Sequence, residues 1–220
     1  MDNLFPLQHG QPWPLLEFCQ HLRRTRPHSL AYGITSVRHF KRLYEDFQHE
    51  SLVLDVVPLI PGPNNPQLDN RTYIELGRFK VQGQGSRWNL GIGGSASDRV
   101  VVLTQRSVQD LSGPGTTLLR RLSWTTQLPR LYDVLKAAAL LSLAFPGYNI
   151  FTRQCFWLAR AVYSILHEAY TPFQGEMGNL AWKRGKFMVI CRLLTPSPPP
   201  VLILLCRRNR EWDGDTVATD

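Results

Sequence analysis

The alternation of hydrophobic and polar positions predicts helices near the N-terminus and strands in the middle of the chain. Residues 15–24 carry apolar side chains at helical spacing, and Pro27 ends that segment. Residues 36–47 predict a second helix with Ser36 as its N-cap. Its apolar face would consist of Val37, Phe40, Leu43, Tyr44 and Phe47.

Strands are predicted next, because apolar and β-branched residues follow in short runs. Residues 50–59 begin as a mostly apolar strand, and residues 71–81 alternate well enough for a second strand. Residues 88–92 and 99–104 predict two shorter strands, while the glycine-rich residues 91–97 predict a flexible loop. That loop lacks the GxGxxG pattern that leads into a helix, so it does not indicate a phosphate-binding loop.

The second half of the chain returns to helical patterns. Residues 132–145 are apolar almost all round, which predicts a buried helix, and residues 152–168 predict another helix after the Pro146-Gly147 break. We expect two late apolar segments, 187–194 and 201–206, to be strands or the end of the core. Consecutive strands between helices predict an α+β fold with an antiparallel sheet packed against helices. We expect a lead-in over residues 1–35, one domain over 36–206 and a polar tail over 207–220.

Composition and charge narrow the class of protein. Hydrophobic residues make up 43% and aromatic residues 10% of the 220 residues, which is typical of a globular protein. The net charge of +8 favours contact with nucleic acid or another anionic partner. The basic residues lie in separate clusters, at 21–26, 38–42, 183–186 and 207–210.

Targeting and cysteine patterns predict an intracellular protein, cytoplasmic or nuclear. Residues 1–14 do not resemble a signal peptide, and the longest apolar run is too short to span a bilayer. The four cysteines form neither a CxxC pair nor a dense secreted pattern, so we expect no disulfide framework. No cofactor and no metal site is predicted from the spacing of histidines and cysteines.

Cys155 is the strongest catalytic candidate in the sequence. It lies near the predicted start of the helix over residues 152–168, after a Gly-containing turn. The N-terminus of a helix carries unpaired N–H groups and a partial positive charge, which favour the thiolate form of a cysteine. The alternative is structural, because Cys155 stands between Phe151 and Phe156-Trp157 and cysteine often fills a core.

A cysteine nucleophile requires a base, and His49 is the best candidate among six histidines. His167 follows Cys155 by twelve residues, about 18 Å along one helix, which is too far for proton transfer. His49 instead directly precedes a predicted strand, from which its ring can face a helix packed on the sheet. Glu75, on the next predicted strand, would orient the imidazole, with Asp55 and Arg78 as weaker candidates. Glu75 alternatively faces solvent.

These segments resemble a known group of enzymes. A histidine on a strand, a polar residue on the next strand and a cysteine at a helix start are similar to circularly permuted papain-like enzymes, which include the NlpC/P60 and lecithin-retinol acyltransferase groups. More closely, residues 49–54, 73–78 and 148–159 resemble uncharacterised proteins of mushroom-forming fungi. This chain departs from them, because Gln154 precedes the cysteine where Asn is usual, and Leu158 replaces an aromatic residue. The acyltransferase pattern also has a second histidine on the next strand, where this chain has Glu75 or Arg78.

The resemblance implies a cysteine-dependent amide or ester hydrolase or an acyltransferase that works through a thioester. Cys155 would attack the carbonyl of a peptide, an isopeptide or a lipid acyl group, and His49 would take the thiol proton. Backbone N–H groups at the helix start, with Gln154, would stabilise the oxyanion. Two alternatives stay open: a non-catalytic module whose basic surface contacts nucleic acid or an acidic protein, and an inactive papain-like scaffold.

Overall fold

The computed structural model describes residues 10–24, 32–43, 49–59, 71–80, 93–111, 113–149 and 155–178. These residues form eight strands and four helices. The strands are β1 (Pro12–Pro14), β2 (Tyr32–Arg42), β3 (Glu50–Pro58), β4 (Thr72–Lys80), β5 (Gly93–Leu103), β6 (Thr116–Ser123), β7 (Gly147–Asn149) and β8 (Gln174–Met177). The helices are α1 (Leu15–Arg24), α2 (Gln105–Asp110), α3 (Leu131–Ala144) and α4 (Cys155–Ala169).

The strands form one antiparallel sheet in the order β1-β5-β4-β3-β2-β6-β8, and β7 pairs with the start of β5. Four of its strands, β2 to β5, follow one another in sequence and in space, so strands that are consecutive in the chain build the centre of the sheet. The structure therefore confirms the predicted α+β fold with an antiparallel sheet packed against helices.

Three helices cover one face of the sheet, which we call the helical face. Side chains of β2 to β5 that alternate along this face join residues of α1, α3 and α4 in the main hydrophobic core. Its strand members include Val37, Leu52, Leu54, Ile74, Leu76 and Val100, all at most 1% exposed. The other side, which we call the opposite face, holds a smaller apolar cluster of Phe40, Val53, Leu103 and Val108 of α2.

Several predicted elements are confirmed. Helix α1 has the predicted bounds, α3 begins and ends one residue before the predicted helix, and α4 covers the predicted cysteine helix from Cys155 onward. Strands β3 and β4 match the predictions over 50–59 and 71–81, and β5 contains most of the strand predicted over 99–104. The strand predicted over 88–92 and the apolar segments at 187–194 and 201–206 lie outside the described residues.

Two local predictions are wrong. The helix predicted over 36–47 is replaced by β2, which ends at Arg42 and pairs with both β3 and β6. Val37, His39 and Lys41 share the helical face of this strand, so its true period is two, not 3.6. The loop predicted over 91–97 is also wrong from Gly93 onward, because Gly93–Leu103 is one strand that pairs with β4, β7 and β1.

The N-terminal segment belongs to the same core as the rest. Leu15, Phe18 and Leu22 of α1 are at most 2% exposed and pack in the main cluster, and β1 pairs with β5. The expected boundary between residues 35 and 36 falls inside β2. No helix among the described residues is long and apolar enough to cross a membrane.

Candidate functional site

Cys155 is the first residue of α4. The first turn of this helix therefore has the N–H groups and the positive end of the helix dipole that the sequence predicts around Cys155. The neighbouring residues Phe156 and Trp157 are buried at 3% and 2% exposure and pack into the main core. The side chains of Cys155 and Gln154 lie outside the described part of the chain.

The sheet under α4 contains a row of buried charged side chains, which we call the charged row. It consists of Lys41 on β2, Glu50 on β3, Arg78 on β4 and Asp98 on β5. Lys41 lies opposite Glu50, and Arg78 lies opposite Asp98. Ser51 pairs with Gly77, and Glu50 precedes Ser51 while Arg78 follows Gly77, so Glu50 and Arg78 are neighbours across the two antiparallel strands. All four side chains therefore lie on the helical face at the same end of the sheet, and none is more than 6% exposed.

Two ion pairs connect neighbours in the charged row. Lys41 Nζ donates to Glu50 Oε1 at 3.1 Å, and Arg78 donates to Asp98 through Nε and Nη2, each at 2.7 Å. The second pair has the bidentate geometry in which a guanidinium binds a carboxylate most strongly. Taking such charges out of water costs free energy that their attraction does not always recover, so a buried ion pair is weak evidence of a role in stability. This end of the sheet is therefore a candidate functional region.

The first turn of α4 packs on Arg78 of the charged row through Trp157. The guanidinium carbon of Arg78 is 5.1 Å from the centre of the Trp157 ring, a cation–π contact. Phe145, which follows α3, meets the same indole edge-on at 5.0 Å between ring centres. Trp157 follows Cys155 by two residues in the same helix, so the start of α4 lies close to the Arg78–Asp98 pair.

Two N–H donors at this place have no acceptor. Arg78 Nη1 and Trp157 Nε1 are both buried, and neither has a hydrogen-bond partner within the described structure. Most buried polar atoms in folded proteins have one, and each that lacks one carries a desolvation cost of roughly 1–3 kcal/mol. The Arg78–Trp157 contact is therefore polar and incompletely satisfied.

His39 faces α4 from the sheet. It is fully buried on β2, its Nε2 lies 2.9 Å from Glu50 Oε2, and its ring centre is 6.1 Å from that of Tyr163. A carboxylate only accepts hydrogen bonds, so Nε2 is the donor in this contact. Tyr163 follows Cys155 by eight residues, about 12 Å along the helix. His39 therefore lies under the middle of α4, not under its start.

His49 lies on the opposite face of the sheet. Its ring stacks on Phe79 with 4.5 Å between centres, and a Cβ added at Gly77 would come within 3.1 Å of its Nε2. Gly77 lies between Leu76 and Arg78, whose side chains point to the helical face, so the His49 ring is on the other side. The sheet thus separates this imidazole from the described residues of α4, and the predicted Cys155–His49 pair stays a prediction.

Glu75 shares the face of His49 but binds a different partner. Its Oε1 accepts a hydrogen bond from Arg42 Nη2 at 3.0 Å, and the residue is only 6% exposed. Glu75 therefore does not face solvent, as the alternative interpretation expected. Its described hydrogen bond goes to a guanidinium and not to an imidazole. Asp55, the weaker candidate, is bound by Arg38 Nη2 at 2.5 Å on the same face.

The basic cluster at residues 38–42 does not form one solvated face. Lys41 is buried in the charged row, while Arg38 and Arg42 point to the opposite face and pair with Asp55 and Glu75. The clusters at 183–186 and 207–210 lie outside the described residues. Among the residues that are described, no group of three or more histidine, cysteine or acidic side chains is arranged to hold a metal ion.

The other described cysteine has the opposite character from an activated nucleophile. Cys19 lies on α1 at 8% exposure, and burial raises its pKa from 9.0 to about 12. A thiol with this pKa stays protonated and unreactive near neutral pH. Cys19 therefore provides an internal reference against which the reactivity of Cys155 can be measured.

Sequence reasoning missed most of the charged row, although a signal was present. Glu50, Arg78 and Asp98 each occupy the position that continues an inward-facing apolar alternation, two residues from Leu52, Leu76 and Val100 respectively. A charged residue at the end of a buried alternation is unusual, because ionised side chains are almost never fully buried without a partner. Three such positions on three consecutive strands would have predicted a polar site at one end of the sheet.

Comparison with models of protein families, with curated proteins and with solved structures gives no match for this chain. The functional interpretation consequently depends on the residues and their geometry.

Proposed function

We propose that this protein is a cysteine-dependent acyl-transfer enzyme, a hydrolase of amides or esters or an acyltransferase, with Cys155 as its nucleophile. The observation that supports the proposal is the position of Cys155 as the first residue of α4, whose first turn lies on the buried charged row. A cysteine at a helix N-terminus lies near unpaired N–H groups and the positive end of the helix dipole, which favour the thiolate form. The resemblance to permuted papain-like enzymes points to the same chemistry.

In the proposed reaction, the Cys155 thiolate attacks the carbonyl carbon of a peptide, isopeptide or lipid acyl group. The carbonyl oxygen takes the negative charge, which the N–H groups of the first turn of α4 stabilise, together with Gln154. The intermediate then expels the amine or alcohol, which takes up the proton lost by the thiol, and leaves a thioester on Cys155. Water or a second acceptor cleaves the thioester and regenerates the thiol.

Two histidines are candidates for the base in this reaction. His49 is the base that the sequence predicts, whereas His39 is the histidine on the helical face. The variants His49→Ala and His39→Ala separate the two assignments. Loss of acylation in the first variant alone supports the Cys155–His49 pair, and loss in the second alone assigns the base to His39.

A direct test is acylation of the full chain by p-nitrophenyl esters of short and long acyl chains. We expect a burst of p-nitrophenol, a mass increase of one acyl group on the peptide that contains Cys155, and loss of both in Cys155→Ala. Cys19→Ala is the matched control, and its burst should equal that of the unsubstituted protein. If Cys155 gains no acyl group with any ester and alkylates no faster than free cysteine near neutral pH, the enzyme proposal is wrong.

The second candidate is an inactive papain-like scaffold that binds without catalysis. The observation that favours it is the place of His49, which stacks on Phe79 across the sheet from α4. A scaffold of this kind predicts ligand binding without a Cys155 adduct. Binding to a nucleic acid would instead weaken steeply as the salt concentration rises, because released counterions drive it.

A further inference from the structure

The start of α4 has two buried hydrogen-bond donors that nothing in the described structure satisfies. Arg78 is 0% exposed and uses Nε and Nη2 for Asp98, which leaves Nη1 without a partner. Trp157 is 2% exposed and its Nε1 also has no partner. The two side chains touch, with 5.1 Å between the guanidinium carbon and the ring centre.

We propose that Arg78 Nη1 and Trp157 Nε1 bind the carboxylate group of a ligand at the first turn of α4. Both atoms donate and neither accepts, so the ligand must supply oxygen acceptors. The N–H groups that begin α4, a helix of 15 residues, add further donors and the positive end of a helix dipole. A ligand oxygen at this place would satisfy atoms that otherwise carry an uncompensated desolvation cost.

The charge of the surroundings favours a single negative charge. Within the charged row, Lys41 pairs with Glu50 and Arg78 pairs with Asp98, so the row has no net charge. The helix end then supplies about half a positive charge. A carboxylate, which is planar and carries one charge, fits a guanidinium edge and one indole N–H. A phosphate dianion would bring a second charge that no described side chain of the row balances.

The site does not depend on the reaction of Cys155. A carboxylate is the product of ester or amide hydrolysis, so an active enzyme would hold its acid product here, whereas an inactive scaffold would hold a carboxylate ligand. Binding is therefore measured both in the unsubstituted chain and in Cys155→Ala. Equal affinity in the two proteins separates this site from the proposed chemistry.

Trp157→Phe is the decisive variant. It keeps a six-membered aromatic ring over Arg78 and removes the five-membered ring of the indole together with its N–H. Trp124→Phe is its matched control, since Trp124 is 3% exposed and its Nε1 is also buried without a partner in the part of the chain described. Unfolding in urea verifies that both variants fold. The double variant Arg78→Met with Asp98→Leu removes the guanidinium without leaving a single buried charge.

Isothermal titration calorimetry of the full chain with hexanoate, hexanamide and inorganic phosphate tests the proposal. We expect saturable binding of hexanoate, about tenfold weaker binding in Trp157→Phe, as expected for one charge-assisted hydrogen bond, and unchanged binding in Trp124→Phe. The double variant should lose hexanoate binding. Absence of hexanoate binding, equal binding of hexanamide, tighter binding of phosphate, or equal effects of the two tryptophan variants would each overturn the proposal.

Discussion

The Arg78–Asp98 pair allows a quantitative prediction about buried charge. Both side chains are at most 1% exposed, and two hydrogen bonds of 2.7 Å join them. In Asp98→Ala the guanidinium stays buried with neither of those bonds. Removal of one member of a buried pair typically costs 3–5 kcal/mol, so we expect the free energy of unfolding to fall by about 4 kcal/mol.

Replacing both members should have a much smaller effect. In Arg78→Met with Asp98→Leu no charge is left unpaired, and two apolar side chains fill similar volumes under Trp157. Such replacements are often neutral or stabilising by roughly 1–4 kcal/mol. Loss of the Arg78–Trp157 contact removes about 0.5–2 kcal/mol of that gain. We therefore expect the double variant to unfold within about 2 kcal/mol of the unsubstituted protein.

Equilibrium unfolding in urea, followed by far-ultraviolet circular dichroism, measures both changes. Glu75→Ala is the control, because its partner Arg42 is 29% exposed and can turn to solvent, which limits the expected cost to about 1 kcal/mol. The reasoning is refuted if Asp98→Ala costs no more than Glu75→Ala, or if the double variant is as unstable as Asp98→Ala.

Three further predictions concern other parts of the molecule. Because burial raises the pKa of Cys19 from 9.0 to about 12, its contribution to stability is complete below pH 9 and is lost as the pH rises toward 12. The free energy of unfolding, measured between pH 8 and 11, should therefore fall with pH, and it should fall less in Cys19→Ala. Native protein treated with iodoacetamide near neutral pH should gain its first label on the Cys155 peptide and none on Cys19, by mass spectrometry; labelling of Cys19 first would contradict the pKa assignment. Gly178→Ala should lower the unfolding midpoint in urea by an amount equivalent to at least 1–3 kcal/mol, because the new Cβ would lie 1.8 Å from the carbonyl oxygen of Leu118. Gly147→Ala, whose Cβ meets nothing within 4 Å, should change that midpoint little, and equal effects would contradict the described packing of Gly178.

The elements that sequence reasoning predicted well are those whose pattern has one interpretation. Helix α3 is apolar on nearly every side, and β3 and β4 alternate cleanly, so burial and local propensity agree. The start of α4 at Cys155 was also close to its prediction, because the Pro146-Gly147 break limits where that helix begins.

The error at β2 has a specific physical cause. Val37, Phe40, Leu43 and Tyr44 have helical spacing, which concealed the alternation of Val37, His39 and Lys41 on the helical face. On the predicted helix His39 and Lys41 would lie off the apolar face, whereas in β2 Glu50 pairs with both and allows their burial. Pairing with two neighbouring strands then outweighs any local preference for a helix.

The candidate site was predictable only in part for the same reason. A cysteine at a helix start is a local property, so Cys155 could be found from sequence. The partners of Arg78 and of His39 depend on which strands are neighbours and which face each residue occupies. His49 shows the difference, because it is the residue next to Glu50 in the sequence and that single step places it across the sheet.

The charged row also records how the strands must be aligned. Its signs alternate from β2 to β5 as positive, negative, positive, negative. Sliding β4 by two residues along β3 would bring Arg78 opposite Leu52, and sliding it by one would turn Arg78 to the opposite face. Each misalignment leaves a buried charge unpaired against apolar side chains. These four residues therefore destabilise wrong strand registers relative to the native one.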